Sequence, residues 1–189
     1  MKKVLTFVII LIIVDCSCVI AKRPLNDNFI QDQNEMITLI SKTKTHCFSN
    51  PIKEDTFKVS IRGKDFLSGI VTFEIINWQG KLIYSDTFSG LSFIYYTPSV
   101  ITLKSEEEKY VKDHSITLIN LFFHEKAFEA PAIKDSDGYK DDFSDKDIWL
   151  DIKSDPTAIG FSYSRNEEDH IFIAYSKRMK KVVIYYHCC

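Results

Sequence analysis

Glycine is scarce in this chain of 189 residues: there are only six, and no cluster of them could cradle a phosphate group. The chain also contains no Gly-x-Ser-x-Gly segment, the usual setting of a serine nucleophile. The zinc-hydrolase pattern fails at His124, because Phe128 stands where the second histidine would be. His46 and Cys47 form no catalytic dyad by themselves, since neighbours on a strand point apart. Nothing in the sequence therefore supports nucleotide binding or a common hydrolase mechanism.

An excess of charge of one sign is lacking as well. The 24 Lys and Arg residues and the 26 Asp and Glu residues give a net charge of −2 at pH 7. Without the first 21 residues, the counts are 22 and 25 and the net charge is −3. This balance offers no global attraction to nucleic acid or to an anionic membrane. Residues 22–189 have the length of a single domain, and the polar segment 22–27 is predicted to be a linker.

The sequence lacks an apolar segment long enough to span a membrane. The apolar segment near its start is shorter and has a different interpretation. Residues 4–14 form an apolar segment of only eleven residues, whereas a membrane-spanning helix needs about 20. Lys2 and Lys3 precede this segment, and small residues lead from it to Ala21, as in a secretory signal peptide. We therefore predict that residues 1–21 direct export, with cleavage after Ala21. The expected location is secreted, periplasmic or anchored to the outer membrane.

Two alternatives to cleavage stay open, a retained membrane anchor and a lipid attached to Cys16 or Cys18. Asp15 opposes the first, because a carboxylate near the centre of a spanning helix is costly. It also opposes the second. A lipidated cysteine needs a small residue directly before it and an aliphatic residue three positions before, and Asp15 occupies one of these positions for each cysteine. Membrane contact is expected only through such a lipid anchor.

Three cysteines lie beyond the signal segment, and in an oxidising compartment they are disulfide candidates. A bridge from Cys47 to Cys188 or Cys189 would close a loop of about 140 residues, which the chain-entropy model values at about 5 kcal/mol. Pairing Cys188 with Cys189 is disfavoured because a bridge between neighbours is strained. Structural or free cysteines are the alternative reading.

The first half of the chain is predicted to contain one helix followed by strands. Apolar residues between positions 28 and 42 fit one face of a helix, with Asp27 as its cap. Alternation of apolar and polar residues from Phe57 predicts a strand over 57–62. A nearly continuous apolar stretch predicts a strand over 70–76, and further strands are expected over 82–84 and 91–96. The segment 77–80 is a good hairpin turn, with Gly80 free to take a positive φ.

The second half is predicted to mix helices with a terminal meander. Ser105 and Glu108 form a capping box, so a helix is expected from 105 to about 113. The apolar segment 116–123 fits either a helix or a buried strand, and we favour the strand. Ser144 is expected to cap a helix ending at Lys153. Three evenly spaced strands follow at 158–164, 170–176 and 181–187. The predicted class is α+β, an antiparallel sheet with a C-terminal three-stranded meander and a few covering helices.

An acidic loop, residues 135–147, is the sharpest local feature. Four of its carboxylates surround a turn glycine, and calcium prefers such oxygen ligands; they are Asp135, Asp137, Asp141 and Asp142. Ile133 stands where the first ligand of a calcium loop should be, and no distal glutamate follows. A solvated acidic loop is therefore the preferred interpretation. No cofactor is expected, and bound calcium is the alternative.

Two further patterns have both a binding and a structural interpretation. A basic turn, Lys177 to Lys181, would suit lipid headgroups, an acidic partner or the chain's own acidic loop, although charged hairpin tips commonly just face solvent. Tyrosines recur along the predicted strands, at positions 84, 95, 96, 163, 175, 185 and 186. An exposed tyrosine row would suit a protein or a glycan, whereas half-buried tyrosines are ordinary in a sheet.

Several segments together resemble a known group of proteins. A Lys-Lys signal with cysteines at its end precedes Ser68-Gly-Ile-Val-Thr-Phe-Glu-Ile-Ile and Phe128-Glu-Ala-Pro, and the terminal meander contains Ala158-Ile-Gly-Phe-Ser-Tyr-Ser and Ile173-Ala-Tyr-Ser. This texture is similar to that of the small exported lipoproteins of unknown function of Bacteroides-type bacteria. The resemblance implies export and an α+β domain. It implies no catalytic residue, because that group has no established active site.

These observations lead to three functional hypotheses. The first is a non-enzymatic exported module that binds a protein or a glycan through its sheet face or its loops. The second is an inhibitor or immunity-type protein acting in the same compartment. The third is a hydrolase that uses acidic residues of the 135–151 region. A cleft that gathers distant carboxylates would favour the hydrolase, whereas an exposed aromatic patch would favour binding.

Overall fold

Two four-stranded antiparallel sheets form the frame of the protein in the computed structural model, which describes residues 36–95 and 104–188. The first sheet contains β1 (Ile37–Cys47), β2 (Glu54–Gly63), β3 (Ile70–Ile76) and β4 (Leu82–Ser89) in chain order. The second contains β5 (Phe128–Glu129), β6 (Gly160–Ser164), β7 (His170–Ser176) and β8 (Lys181–Cys188), also in chain order. The predicted α+β class and the β6–β7–β8 meander are therefore confirmed.

The two sheets share a core of aromatic and branched side chains. On β2 the predicted alternation is confirmed, and β3 shows the same pattern. Every second residue of the two strands is fully buried, namely Phe57, Val59, Ile61, Val71, Phe73 and Ile75. Phe161 of β6 approaches this layer, with ring centroids 5.2 Å from Phe57 and 5.3 Å from Phe73. Burial of this apolar area is the main favourable contribution to folding.

The helices cover the edge of the core and the far face of the second sheet. Within the described ranges, they are α1 (Gly90–Ile94), α2 (Lys104–Leu121) and α3 (Lys146–Lys153), with a 3-10 turn at Glu125–Ala127. In this part of the chain, no helix is both long enough and apolar enough to cross a membrane. A second cluster of buried residues links α3 to the outer face of the second sheet and includes Trp149, Ile152, Ala174 and Tyr185.

The helix predicted over residues 28–42 is wrong in its described part, where β1 begins at Ile37. This strand pairs with β2 along its length, from Ile37 opposite Gly63 to Cys47 opposite Glu54. Its lysines contact the end of α2: the Lys42 ammonium donates to the carbonyl of Asn120 and the Lys44 ammonium to that of Phe123. The Asn120 carbonyl belongs to the last turn of α2, which leaves its carbonyls without helical partners, and Phe123 lies just after the helix. Long-range contacts thus outweighed the local pattern.

Two predicted strands are also wrong, because the chain is helical there. Residues 91–94 belong to α1, and position 96 lies outside the described residues. At Gly90 the chain passes so close to Phe66 that an added Cβ would lie 2.2 Å from its carbonyl oxygen. The segment 116–123 begins as the last part of α2, where Thr117 donates its hydroxyl to the carbonyl of Asp113 at 2.9 Å. A β-branched residue is thus accommodated by a bond within the helix.

Candidate functional site

A cleft of about 360 Å³ lies between the acidic loop and the outer face of the second sheet. We call it the aromatic cleft, because four aromatic residues contribute to its lining: Trp149, Phe172, Tyr185 and Tyr186. Glu129, Asp137 and Lys140 bring charged groups to the same cleft. Its size falls within the range usual for ligand pockets, about 300–1,000 Å³.

A register shift in the second sheet makes this lining possible. Phe172 of β7 pairs with Tyr186 of β8, but the next residue, Ile173, pairs with Ile184, so Tyr185 is an extra residue on β8. Neighbours on a regular strand point to opposite faces, whereas a bulge re-aims a side chain. Tyr185 and Tyr186 therefore both line the cleft. No feature of the sequence signals this bulge, so the cleft could not be predicted from the sequence.

Tyr185 forms the floor of the aromatic cleft and is only 6% exposed. Its hydroxyl donates to the carbonyl oxygen of Ala132 at 3.0 Å. Burial raises the pKa of this phenol well above its ordinary value, and the nearby carboxylates of Glu129 and Asp137 raise it further. Gly160 lies directly against it, since an added Cβ would be 2.7 Å from the Tyr185 hydroxyl oxygen.

Lys153 at the end of α3 closes the acidic loop from the inside. Its ammonium donates to the carbonyl of Asp137 at 2.8 Å and to that of Asp135 at 3.4 Å. The same ammonium lies 4.6 Å from the ring centroid of Trp149, a cation–π distance. The Lys153 ammonium therefore lies where the backbone carbonyl oxygens of Asp135 and Asp137 come together.

The loop carboxylates are not gathered into a metal site. Among residues 36–95 and 104–188, no group of three or more histidine, cysteine, aspartate or glutamate side chains could hold a metal ion. Of the four calcium candidates, Asp137 accepts the backbone N–H of Lys134 at 2.8 Å, while Asp135, Asp141 and Asp142 are exposed. The geometry gives the calcium hypothesis no support.

Several contacts hold the acidic loop against the second sheet. The backbone N–H of His187 donates to the carbonyl of Phe143 at 2.9 Å, which joins the loop to β8. The Tyr139 hydroxyl donates to the carbonyl of Ser144 at 2.9 Å. Asp145, and not the predicted Ser144, caps α3, since its side chain accepts the backbone N–H groups of Asp147 and Ile148. The loop wall of the cleft is therefore ordered by the fold.

The basic turn faces the chain's own acidic residues. Arg178 Nε lies 2.6 Å from Asp151 Oδ1, and Lys177 Nζ lies 2.8 Å from Asp155 Oδ2. These carboxylates belong to α3 and the segment after it, close to the acidic loop in the sequence. Burial acts to raise the pKa of Asp151, but hydrogen bonds from Ser176 and Arg178 outweigh it and the pKa is lowered. A carboxyl group tuned in this direction is a poor general acid at neutral pH.

A second cavity, of about 240 Å³, lies where α2 ends beside β6 and β7. Ser164 Oγ and His170 Nδ1 are 2.6 Å apart there, and His124 lines the same cavity. Among the described residues that line it there is no carboxylate to orient the imidazole, as a catalytic triad requires. The pair is a hydrogen bond across two neighbouring strands, because Ser164 and His170 are register partners.

The cysteines are not joined within the described residues. Cys47 and Cys188 are both free and half-buried, at the ends of β1 and β8. The third disulfide candidate, Cys189, lies outside the described residues, as do the lipidation candidates Cys16 and Cys18.

The tyrosines do not form one exposed row. Tyr84 and Tyr163 join the two sheets, with their hydroxyl oxygens 2.6 Å apart. Tyr95 lines the second cavity, and Tyr185 and Tyr186 line the aromatic cleft. Position 96 lies outside the described residues. Tyr175 lines another depression beside Asp151, so the described tyrosines are spread over several places and only Tyr185 and Tyr186 share the cleft.

No protein-family model, no curated protein and no solved structure matches this chain. The evidence for a function therefore lies in the residues of the cleft and in their chemistry.

Proposed function

We propose that this protein is an exported, non-enzymatic binding module that takes its ligand, part of a protein or a glycan, in the aromatic cleft. The observation that carries the proposal is the β8 bulge, which places two successive tyrosines, Tyr185 and Tyr186, on one face beneath the acidic loop. A regular strand would place only one of them there. Aromatic side chains beside a few polar groups are typical of recognition sites.

The rigidity of the cleft supports a binding role. Its floor is fixed by the Tyr185–Ala132 hydrogen bond, and its loop wall is held by Lys153 and by the His187–Phe143 backbone bond. A site ordered before the ligand arrives loses less conformational entropy on binding. By contrast, the Asp151 carboxylate is already held by Arg178 and Ser176, which supports the binding module over a hydrolase that uses this residue.

A steric block of the cleft tests this proposal. Gly138 lines the cleft, and a Cβ added there would have no heavy atom within 4 Å, so Gly138→Trp can fill the space without a clash at its Cβ. Ser85→Trp, on the exposed side of β4, is the matched control. Wild type and both variants are compared on a glycan array and against fractionated envelope proteins. We expect Gly138→Trp alone to lose the wild-type ligand, and equal binding by all three proteins would refute the cleft as the site.

The export part of the proposal rests on Lys2, Lys3 and the apolar segment 4–14. Intact mass spectrometry of the protein purified from its native membrane and medium tests it. A mass that begins at Lys22 supports secretion with cleavage, and a diacyl or triacyl mass on Cys16 or Cys18 supports a lipid anchor. An unprocessed chain recovered from the cytoplasm would contradict export.

A further inference from the structure

We propose that the aromatic cleft takes a positively charged side chain, the ammonium of a lysine or the guanidinium of an arginine, from a basic segment of a partner protein. This inference rests on the proposed function, because it names the ligand class of the same cleft. Three features support it: the composition of the walls, the hydrogen-bonding sense of the floor, and the positions of the protein's own lysines.

The walls combine aromatic faces with carboxylates. Tyr186 and Phe172 both line the cleft and pack edge to face, with 5.2 Å between their ring centroids. The Glu129 carboxylate is 53% exposed at the rim and is therefore within reach of an incoming group. Cations bind favourably over aromatic faces and form their strongest hydrogen bonds with carboxylates. Among the described residues that line the cleft, only Lys140 carries a positive charge, so an anion would find one charged partner there and a cation would find two carboxylates.

The floor of the aromatic cleft offers a hydrogen-bond acceptor and a negative electrostatic potential. The only proton of the Tyr185 hydroxyl is used in the bond to Ala132, so any further hydrogen bond at this oxygen must be accepted. The carboxylates of Glu129 and Asp137 both act on this hydroxyl, after burial itself, to raise its pKa. A group placed beside it therefore experiences negative charge from two sides, which favours a cationic ligand.

The protein's own lysines already show which group this surface attracts. The Lys134 ammonium lies 3.4 Å from Glu129 Oε2, and the Lys140 ammonium lies 5.9 Å from the ring centroid of Tyr186. Both residues are exposed, and such surface contacts contribute little free energy. A ligand cation can displace them, unlike Lys153, which two backbone carbonyls hold. Charge complementarity thus identifies a basic segment as the occupant.

The binding assay uses the full chain with one fluorescent reporter in the cleft. The chain has two tryptophans, Trp78 and Trp149, so Trp78→Phe leaves Trp149 alone. A hexa-arginine peptide is titrated at low salt, with hexaglutamate and N-acetylchitohexaose as charge-reversed and neutral probes. We expect hexa-arginine alone to change the Trp149 emission, and we expect the effect to weaken as salt rises.

Three variants are expected to change the affinity for hexa-arginine differently: one weakens it, one leaves it unchanged and one strengthens it. Glu129→Gln removes a rim carboxylate, and we expect it to weaken hexa-arginine binding about fivefold, the effect of one exposed charge pair. Glu125→Gln makes the same charge change at a residue paired with Lys44 outside the cleft, and we expect it to leave binding unchanged. Lys140→Met removes a competing cation, and we expect it to strengthen binding about twofold.

The contrary outcomes are distinct. Equal weakening by Glu129→Gln and Glu125→Gln would show diffuse attraction and overturn the inference. Weakening by Lys140→Met would show that the ligand uses this lysine as a donor and would also overturn it. A third outcome is that N-acetylchitohexaose or hexaglutamate binds, that Gly138→Trp abolishes this binding, and that hexa-arginine has no effect. In that case the inferred ligand class is wrong, but the proposed function stands. The proposed function fails if Gly138→Trp leaves all binding intact.

Discussion

Asp86 on β4 and Arg165, directly after β6, form a two-point ion pair that joins the two sheets. Arg165 Nε lies 2.7 Å from Asp86 Oδ2, and Nη2 of the same guanidinium lies 3.0 Å from Oδ1. The Tyr163 hydroxyl donates to Asp86 Oδ2 at 2.6 Å. The hydrogen bond to Asp86, opposed in part by burial, raises the pKa of Arg165. One carboxylate thus receives three hydrogen bonds between the sheets.

We expect Asp86→Asn to lower the free energy of unfolding by about 2 kcal/mol. Breaking a buried ion pair costs about 3–5 kcal/mol, and we take less because the Arg165 side chain is 29% exposed. Urea denaturation followed by circular dichroism measures the loss. Glu74→Gln removes a surface pair with Lys58 whose N–O distance is 4.0 Å; it is expected to cost less than about 1 kcal/mol. Equal losses would contradict a special role for the Asp86 pair.

Two glycines at the aromatic cleft should respond oppositely to alanine. In Gly160→Ala the new Cβ would lie 2.7 Å from the Tyr185 hydroxyl oxygen and 3.2 Å from Ala132 Cα. Overpacking of this kind costs about 1–3 kcal/mol. Gly138→Ala meets no atom within 4 Å and should be neutral or stabilising by up to about 1 kcal/mol. Thermal melts of both variants measure the difference, and a stable Gly160→Ala protein would mean that Tyr185 is not held as described.

We expect Lys153→Met to loosen the acidic loop while the sheets stay folded. The substitution removes the ammonium that binds the carbonyls of Asp135 and Asp137, and a hydrogen bond to a charged group contributes about 1.5–3 kcal/mol before discounting for exposure. Limited chymotrypsin digestion should then cut faster at Tyr139 or Phe143. Lys146→Met, in the exposed first turn of α3, is the control. Unchanged cleavage of Lys153→Met would remove the lysine from this role.

The contribution of Asp151 to stability should disappear in acid. Its pKa in the folded protein lies below the ordinary value of 3.8, so the folded state prefers the ionised form. Stability from this group is present above the unfolded pKa and is lost as the pH falls through the folded pKa. Asp151→Asn should therefore destabilise the protein at pH 7, and its stability should converge with that of wild type as the pH falls through the folded pKa of Asp151. Asp142→Asn, an exposed residue of the same charge, should show no such convergence.

The parts of the fold that were predicted correctly depend on strong local patterns. Alternation around Phe57 marked a strand whose inner residues are fully buried. In the predicted hairpin turn, Gly80 has a φ of 80° and its N–H donates to the carbonyl of Asn77 at 2.8 Å. The helix predicted over 28–42 was wrong in its described part because the apolar spacing there fits a helix as well as a strand. Pairing with β2 makes this part of the chain a strand.

The candidate site could be predicted only in part, because its elements are distant in the sequence. The acidic loop was visible as a cluster of carboxylates, but no local pattern showed that the Lys153 ammonium donates to two of its backbone carbonyls. The bulge at Tyr185 depends on the pairing of β8 with β7. No local pattern encodes such a shift, since one extra residue in a strand leaves its composition unchanged.

The sequence by itself determined the α+β class, the strands of the terminal meander and the features on which the export hypothesis rests. Those features are written in local order, through charge, alternation and turn residues. Only the tertiary structure decided that Asp86 meets Arg165, that Lys153 closes the acidic loop, and that two neighbouring tyrosines share one face. The reason is physical: each of these depends on the register and packing of elements far apart in the chain, where long-range contacts outweigh local preference.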